Sequence, residues 1–537
     1  MAEKQEWFAG RMIVEIHDDD TANIAGWRLA SWKNPDVTIK GDDTRMLVQR
    51  IESMKASHIV MLDLDTEGRL IMEALAQMGW KSCEEPAPNT FRALVTDRGK
   101  IMSIRIRVKR GTVTLIDFHR ILPVGIKALR TVVCDGDTDW RISDSVNIAA
   151  RALQLFAGKM GLRRMTLSTN AYQDYLEMIG RKQARRWFPR LTNIEYDYAR
   201  SAFHGGLVYL RPECIGKDLG KGISVDYNSL YPSVSIANPL PVGRPRQFEG
   251  KPGKTAFGTL YIARALIDWT IKDNGIPVMP RRYWTDKHGE SSDYPVEVTL
   301  TSIDWEVMNE NYDIDVLEWR GGYSYMAFSG LFDSYVDKWG TMKKEHTGAE
   351  RMIAKLMLVS LFGKMGSKTE RQNTTVITND GHVDYELGEV KRTHGIYAPT
   401  AAFINAYGRR ETAHAIAANR DRVVYADTDS MHLIGYDDPK GIRLDQNEFG
   451  AWKVEKRYIR SRHVREKAYC WEDENGFDCK CSGMPGNIRA AMNWETFKAG
   501  WHNWNAEGEI IPGLERTSLV SDGEHIRRVP QKFSIVG

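Results

Sequence analysis

The sequence predicts a multidomain α+β protein. Its 537 residues are enough for several domains. Residues 1 to about 165 mix strand and helix signals, whereas residues 239–330 are rich in strands and turns. Two short strands, far apart in the chain, each run into a carboxylate-bearing turn, and a long helical segment lies between them.

In chain order, residues 59–64 and 111–116 read as strands, and residues 69–78 and 146–156 as helices. Residues 223–227, Ile-Ser-Val-Asp-Tyr, form a strand that ends at Asp226 and turns through Asn228 and Ser229. Pro277, Pro280, Gly289, Gly321 and Gly322 punctuate the stretch that follows. Residues 350–364 are good helix formers, and Gly363 stands where the helix could stop. Residues 369–393 read as a hairpin with Asn379-Asp380-Gly381 at its turn. In residues 423–434, Val423 and Val424 lead into an acidic tip, Asp427-Thr428-Asp429, and Met431 leads out of it.

Two strand-end carboxylate sites are what a pair of divalent cations needs if the fold brings them together. Hard cations such as Mg²⁺ take oxygen ligands and also bind substrate phosphates. Two of them, roughly 3.5–4 Å apart, clamp the attacking and leaving oxygens of an in-line phosphoryl displacement. On the helix between, residues three and four apart share a face, so Arg351, Lys355, Val359 and Phe362 line up, with Lys343 and Lys344 just ahead. That face suits a triphosphate lying along the cations with its base against Phe362.

Hydrophobic content of 42% and charged content of 27% are ordinary for a globular protein. A net charge of +3 means that nucleic-acid binding must rest on local patches. Arg105, Arg107, Lys109 and Arg110 form one patch, and residues 181–190, with Trp187 and Phe188 among basic residues, form another. Cations interleaved with rings suit a single strand. No apolar run reaches the roughly 18 residues of a membrane span. The polar start argues against a secretory signal. Six scattered cysteines, Cys479-Lys480-Cys481 among them, lack zinc-site spacing and read as reduced thiols.

Four segments carry a resemblance. Asp226-Tyr227-Asn228-Ser229-Leu230-Tyr231-Pro232, then Lys355 through Gly363, then Tyr425 through Ser430, then Lys467-Ala468-Tyr469 occur in the order of polymerase motifs A, B, C and KxY. The chain resembles family B DNA polymerases, in particular the protein-primed branch of small tailed phages and linear elements. Phe203-His204-Gly205-Gly206 is similar to that branch's Tyr-x-Gly-Gly motif, and Lys480 through Met484 to a segment after its KxY motif. The resemblance covers about residues 200–500. It implies a right-hand polymerase with an N-terminal RNase H-like exonuclease-type domain at 1–165. Palm would occupy 166–238 and 398–481, with a terminal-protein insertion at 239–330. Fingers would occupy 331–366, a second insertion 367–397, and thumb 482–537.

By the same resemblance, Asp226 and Asp429 bridge two Mg²⁺ ions, for which Mn²⁺ can substitute, and Asp427 assists. The Tyr227 carbonyl ligates the nucleotide-side ion. Tyr231 lies under the incoming sugar and excludes a 2′-hydroxyl. Lys343, Arg351 and Lys355 hold the triphosphate, and Tyr425, Lys467 and Tyr469 grip the primer terminus. Val359 and Phe362 depart from the family's Asn and Tyr. The implied partners are template-primer DNA, deoxynucleotides and a terminal protein that primes synthesis, and the implied state is a monomer in the host cytoplasm.

The exonuclease motifs match less well. Glu15 and His17 stand for the first, Asp63 and Glu67 for the second, and Trp140 and Asp144 for the third, with Asp18, Asp19 and Asp20 as nearby acids. Glutamate for aspartate lengthens the side chain, and tryptophan lacks a phenol oxygen, so proofreading is expected to be weak or lost. Other classes remain open: a primer-independent relative, a reverse transcriptase, or a DNA- or terminal-protein-binding module without activity. The intact Asp226, Asp427 and Asp429 argue against the last.

Overall fold

The computed structural model describes residues 6–16, 21–55, 57–84, 87–133, 145–161, 164–253, 260–521 and 526–537. The N-terminal part is built on a twisted sheet. Its centre is three strands, Gly111–Asp117, Ser57–Met61 and Glu6–Ile16, paired in parallel in that order. The alternation of a strand sends Phe8, Ile59, Met61 and Leu115 to one face and Trp7, Ala9, Val60 and Ile116 to the other. Both faces are therefore buried. The first is covered by helices Thr44–Ser53 and Leu64–Gln77. The second, under helix Ser145–Met160, belongs to the core that continues into the rest of the molecule.

The strand expected over 59–64 is shifted. It ends at Met61, because the Asp63 carboxylate accepts from Thr66 N and starts the helix at Leu64. The hairpin expected over 369–393 is present as Glu370–Asn379 and His382–Arg392, turning through Asp380 and Gly381 at positive φ. Its placement was not foreseen. Strand Glu370–Asn379 pairs antiparallel with Thr90–Thr96 and so extends the N-terminal sheet.

A second, five-stranded antiparallel sheet lies at the centre of the chain. Its order is Trp452–Tyr458, Gly222–Tyr227, Ser430–Ile434, Val423–Asp427 and Val208–Leu210. A four-stranded sheet follows it in sequence, with Leu240–Phe248, Tyr312–Phe328, Tyr261–Ile271 and Val296–Thr301 side by side. Helices Asp333–Glu345 and Gly348–Met365 form a pair, and the second passes Gly363 to end at Gly366. Residues 460–481, read as palm from the sequence, form a four-stranded sheet with Asp218–Leu219, and their Val464, Ala468, Cys470 and Cys479 pack with Ile488, Trp494, Phe497 and Ile535. The core thus divides near residue 459 rather than at 482.

Glu67 gives the N-terminal part a measurable signature. Its carboxyl is buried and accepts from Met12 N, and its other oxygen has no partner among the described residues. Burial, then the nearby Asp63, pushes its pKa from 4.5 up to about 8. An acid whose pKa is raised on folding binds its proton more tightly in the folded state. Its contribution to stability therefore falls as pH rises through the window between those two values. Glu67→Gln removes that ionisation. The variant should match the parent near pH 4.5, and at about pH 9 it should be more stable by roughly 1–3 kcal/mol, read as the unfolding midpoint at the two pH values.

Candidate active site

The two faces of the central sheet differ: one enters the main core, and the other carries polar side chains toward a cavity. Along Gly222–Tyr227, Ile223 and Val225 enter the core and Ser224 and Asp226 face outward. Met431 and Leu433 are likewise inward on the next strand, with Ser430 and His432 outward. Register does the rest: Asp226 is paired with Ser430, and Ser430 with Asp427. The carboxylates of two segments two hundred residues apart thus stand in one row at the sheet's edge. They line a cavity of about 720 Å³ together with Asp429, Lys467 and Tyr469.

The acidic tip is tightly bent. Thr428 is left-handed at φ 62°, Asp429 N donates to Asp427 O at 2.7 Å, and Tyr227 N donates to Asp429 O at 2.6 Å. Two outside contacts hold the bend. Thr428 N donates to Leu207 O at 2.8 Å, and Thr412 Oγ1 donates to Thr428 O. Gly206 lies so close that a Cβ on it would fall 2.3 Å from Thr428 Oγ1. Any larger residue there would displace the tip. Burial, followed by the neighbouring Asp226 and Asp427 charges, pushes Asp429 up to about 6.

The expected cations are gathered at the same place. Lys343 Nζ donates to Ser229 Oγ at 2.7 Å, and Ser229 is itself left-handed. Burial, with Arg351, Lys453 and Lys355 close by, lowers Lys343 to about 8. Arg351 Nη1 donates to Lys343 O at 2.5 Å. Arg351, Lys355 and Val359 form an exposed stripe that runs on to Gly363, not to Phe362. The Phe362 ring is buried edge-on against Phe332, so the expected exposed platform for a base is not there. The offset of three residues turns Phe362 toward the core. Tyr231 is half-buried, with its ring against Gly408, where a Cβ would come within 3.2 Å.

Asp427 is oriented differently from expectation. Its carboxylate accepts from Tyr425 Oη and Thr428 Oγ1, both at 3.1 Å, and from Lys467 Nζ. It is tied to the Lys467 side rather than to the Asp226–Asp429 pair. Lys467 is left-handed, and its N–H donates to Tyr425 Oη at 3.1 Å. Tyr469 stacks on His463 and meets His432 edge-on at 4.7 Å, while the two histidines, both buried and held below the usual range, hydrogen-bond each other at 3.0 Å. This histidine pair, which fixes the Tyr469 ring, joins residues 31 apart and leaves no local pattern to read.

As a metal site the arrangement is of a particular kind. Among the described residues no set of three or more His, Cys, Asp or Glu side chains converges on one point. Asp226 and Asp429 with a nearby backbone carbonyl such as that of Tyr227 are an all-oxygen donor set. Mg²⁺ is commonly held by one or two carboxylates, with phosphates and water completing its shell. The residues therefore fit a divalent ion that arrives with a phosphate ligand.

Among the described N-terminal acids, two are engaged in local contacts. Asp63 caps a helix, Glu67 is bound to Met12 N, and Glu15 lies in strand Glu6–Ile16. His17, Trp140 and Asp144, with Asp18 to Asp20, lie outside the described residues. Of the basic patches, Arg105, Arg107, Lys109 and Arg110 are exposed, as are Arg181, Lys182, Arg185, Arg186 and Arg190. Phe188 is a core residue stacked on Phe332, not a free ring.

One helix that sequence reading passed over, Ala398–Ala418, braces the site. Arg409 is buried on it. Its guanidinium donates to Asp304 Oδ1 at 2.6 and 3.0 Å and to the carbonyls of His204 and Gly205 at 3.0 and 2.7 Å. Thr412, Gly408 and Asn405 on the same helix meet Thr428, Tyr231 and the His204 carbonyl.

The chain can now be set beside known proteins. The family described as DNA polymerase type B, organellar and viral, matches residues 148–447. The DNA polymerase of Bacillus phage Nf is 30% identical over 490 residues, covering 82% of this chain and 86% of that protein. The polymerase of Streptococcus phage Cp-1 is 26% identical over 445 residues, covering 76% and 78%. Phi29 DNA polymerase complexed with primer-template DNA superposes with a TM-score of 0.90 at 25% identity, over 99% of this chain and 100% of that one. Its complex with primer-template DNA and incoming nucleotide gives 0.88 at 26% identity, with the same coverage.

The Arg409 contacts make a direct prediction. Arg409→Met leaves Asp304 buried without its partner and should cost about 3–5 kcal/mol in unfolding free energy. Adding Asp304→Leu should recover part of that loss, as measured by chemical denaturation of the two variants.

Proposed function

The chain belongs to the type B DNA polymerases of organelles and viruses, and from that premise we propose how its own residues carry out synthesis. It is a DNA-directed DNA polymerase of the phi29 type, with the right-hand fold of that family. The observation that carries the site assignment is the row of Asp226, Ser430 and Asp427 at the edge of the central sheet, with Asp429 beside it and Lys343, Arg351 and Lys355 alongside. In this reading the central sheet is the palm, the Asp333–Glu345 and Gly348–Met365 pair the fingers, and residues 239–330 and 367–397 the two insertions.

The reaction joins the primer 3′-oxygen to the nucleotide α-phosphorus and breaks the bond to pyrophosphate. Divalent ions held by Asp226, Asp429 and the Tyr227 carbonyl, Mg²⁺ first among them, would supply charge neutralisation and a more acidic 3′-hydroxyl. Lys343 and Arg351, joined to each other and to Ser229, orient the triphosphate, with Lys355 beside them. Tyr231, fixed against Gly408, sits under the sugar and disfavours a 2′-hydroxyl. Lys467, tied to Asp427, and the braced Tyr469 hold the primer end. The partners are template-primer DNA, deoxynucleotides and a terminal protein, in protein-primed, strand-displacing replication of a linear viral genome in the host cytoplasm. The phage relatives support this reading.

Asp226→Ala or Asp429→Ala should reduce nucleotide incorporation by at least about 10²–10³-fold while gel-shift binding to primed DNA survives. Near-parental primer extension by either variant would refute the site assignment.

Proofreading is proposed to be weak or lost. Its support is that the Glu67 carboxyl serves Met12 N from a buried position and Asp63 serves a helix start. Removal of a mismatched 3′ terminus with Mg²⁺ should be undetectable on the timescale of extension, and Asp144→Ala should leave extension unchanged. Rapid Mg²⁺-dependent excision that Asp144→Ala abolishes would reverse this conclusion.

A further inference from the structure

Lys453 has no place in the roles assigned above, yet it touches their central residue. It lies on strand Trp452–Tyr458, directly across from Asp226 in the antiparallel register. Its ammonium is 3.0 Å from Asp226 Oδ2, and the two side chains are only 31% and 25% exposed. A cross-strand pair of opposite charges at a sheet surface is ordinarily a weak structural contact. Three observations make this one different. The partner is a carboxylate of the synthesis site. The Lys453 charge is also felt at Asp429 and at Lys343. And among the described residues no third carboxylate converges with Asp226 and Asp429, since Asp427 is engaged by Lys467.

The Asp226 oxygen that receives the ammonium is one that a divalent ion bridging Asp226 and Asp429 would need. A cation already stands where the second cation must come. Without Lys453, Asp226 and Asp429 would repel each other with nothing between them. With it, part of the pair's charge is already offset, and a bare metal ion gains less by entering. A nucleotide triphosphate changes both sides of this balance. It brings its own divalent ion to Asp226, and its phosphates give the displaced ammonium another anion beside Lys343.

We propose that Lys453 is a resident counter-ion of Asp226 that competes with divalent cations in the nucleotide-free protein and so couples metal loading to nucleotide arrival. This rests on the reading of Asp226 as a metal ligand.

The test uses the full chain without DNA and follows Mn²⁺ binding by the electron paramagnetic resonance signal of the free ion. Lys453→Met keeps the length and removes the charge, Lys453→Gln is a second neutral variant in case the first folds poorly, and Lys453→Arg keeps the charge. Both neutral variants should bind Mn²⁺ about 5–10-fold more tightly than the parent without nucleotide, with Lys453→Arg close to the parent. With a non-hydrolysable deoxynucleotide analogue present, the difference should shrink to within about twofold. Equal Mn²⁺ affinity of the neutral variants and the parent would overturn the proposal. So would the same gain when Lys453→Met is combined with Asp226→Asn. If Asp226→Asn alone binds Mn²⁺ as the parent does, the metal-ligand reading itself fails, which is a separable result.

Discussion

The buried ion pair of Arg409 and Asp304 is the joint on which the active site rests. Burying two charges is costly, and the attraction between them offsets that cost only where the remaining hydrogen bonds are also made. Here they are. One guanidinium meets a carboxylate from the 239–330 region and two carbonyls of the Phe203-His204-Gly205-Gly206 loop. The loop is thereby pressed onto Thr428, and only glycine at 206 allows so close an approach. Position in the loop fixes the acidic tip, and the tip fixes Asp429. A charge on a neighbouring helix sets where the Asp427 and Asp429 carboxylates stand.

The tip also stores strain. Six non-glycine residues among those described have positive φ, and Ser229, Thr428 and Lys467 are three of them. Asn89, Asn274 and Asp380, the other three, are residue types that tolerate that region. Serine, threonine and lysine do not, and each is held by neighbours: Lys343 on Ser229, Thr412 on Thr428, and Tyr425 on Lys467. Strain that the surroundings over-determine is a mark of pre-organised sites. Here it holds the carboxylates in place, and their crowded negative charge is met by Lys453 on a neighbouring strand and Lys467 on a neighbouring turn.

Much of this was legible in the sequence, for definite reasons. The acidic tip, the strand ending in Asp226 and the hairpin at Asn379-Asp380-Gly381 are local features, written within about ten consecutive residues. Their order along the chain carried the family. What failed depended on distance. Arg409 sits in an alanine-rich helix and looks like any solvated cation until Asp304 comes to meet it. Lys453 faces Asp226 only through a register between strands more than two hundred residues apart. Phe362 and Phe188 looked like free rings beside cations, but both fill the core around Phe332. An aromatic next to charges reads the same whether it stacks on a base or on another side chain. Only the packing decides.

The N-terminal sheet is tied into the rest of the molecule on two sides. Its outer edge takes strand Glu370–Asn379, so the hairpin 370–392 is held by backbone hydrogen bonds to the domain as well as by its own turn. Its second face, with Trp7, Ala9, Val60 and Ile116, is part of the same core as the central sheet. Removing the domain would expose that face and free the hairpin's edge, and both are unfavourable in water. The acids of the domain are under no such constraint. Glu67 accepts from Met12 N and Asp63 caps a helix, so each makes a local structural contact. The sheet is held by what it carries, a shared core on one face and a paired hairpin at one edge.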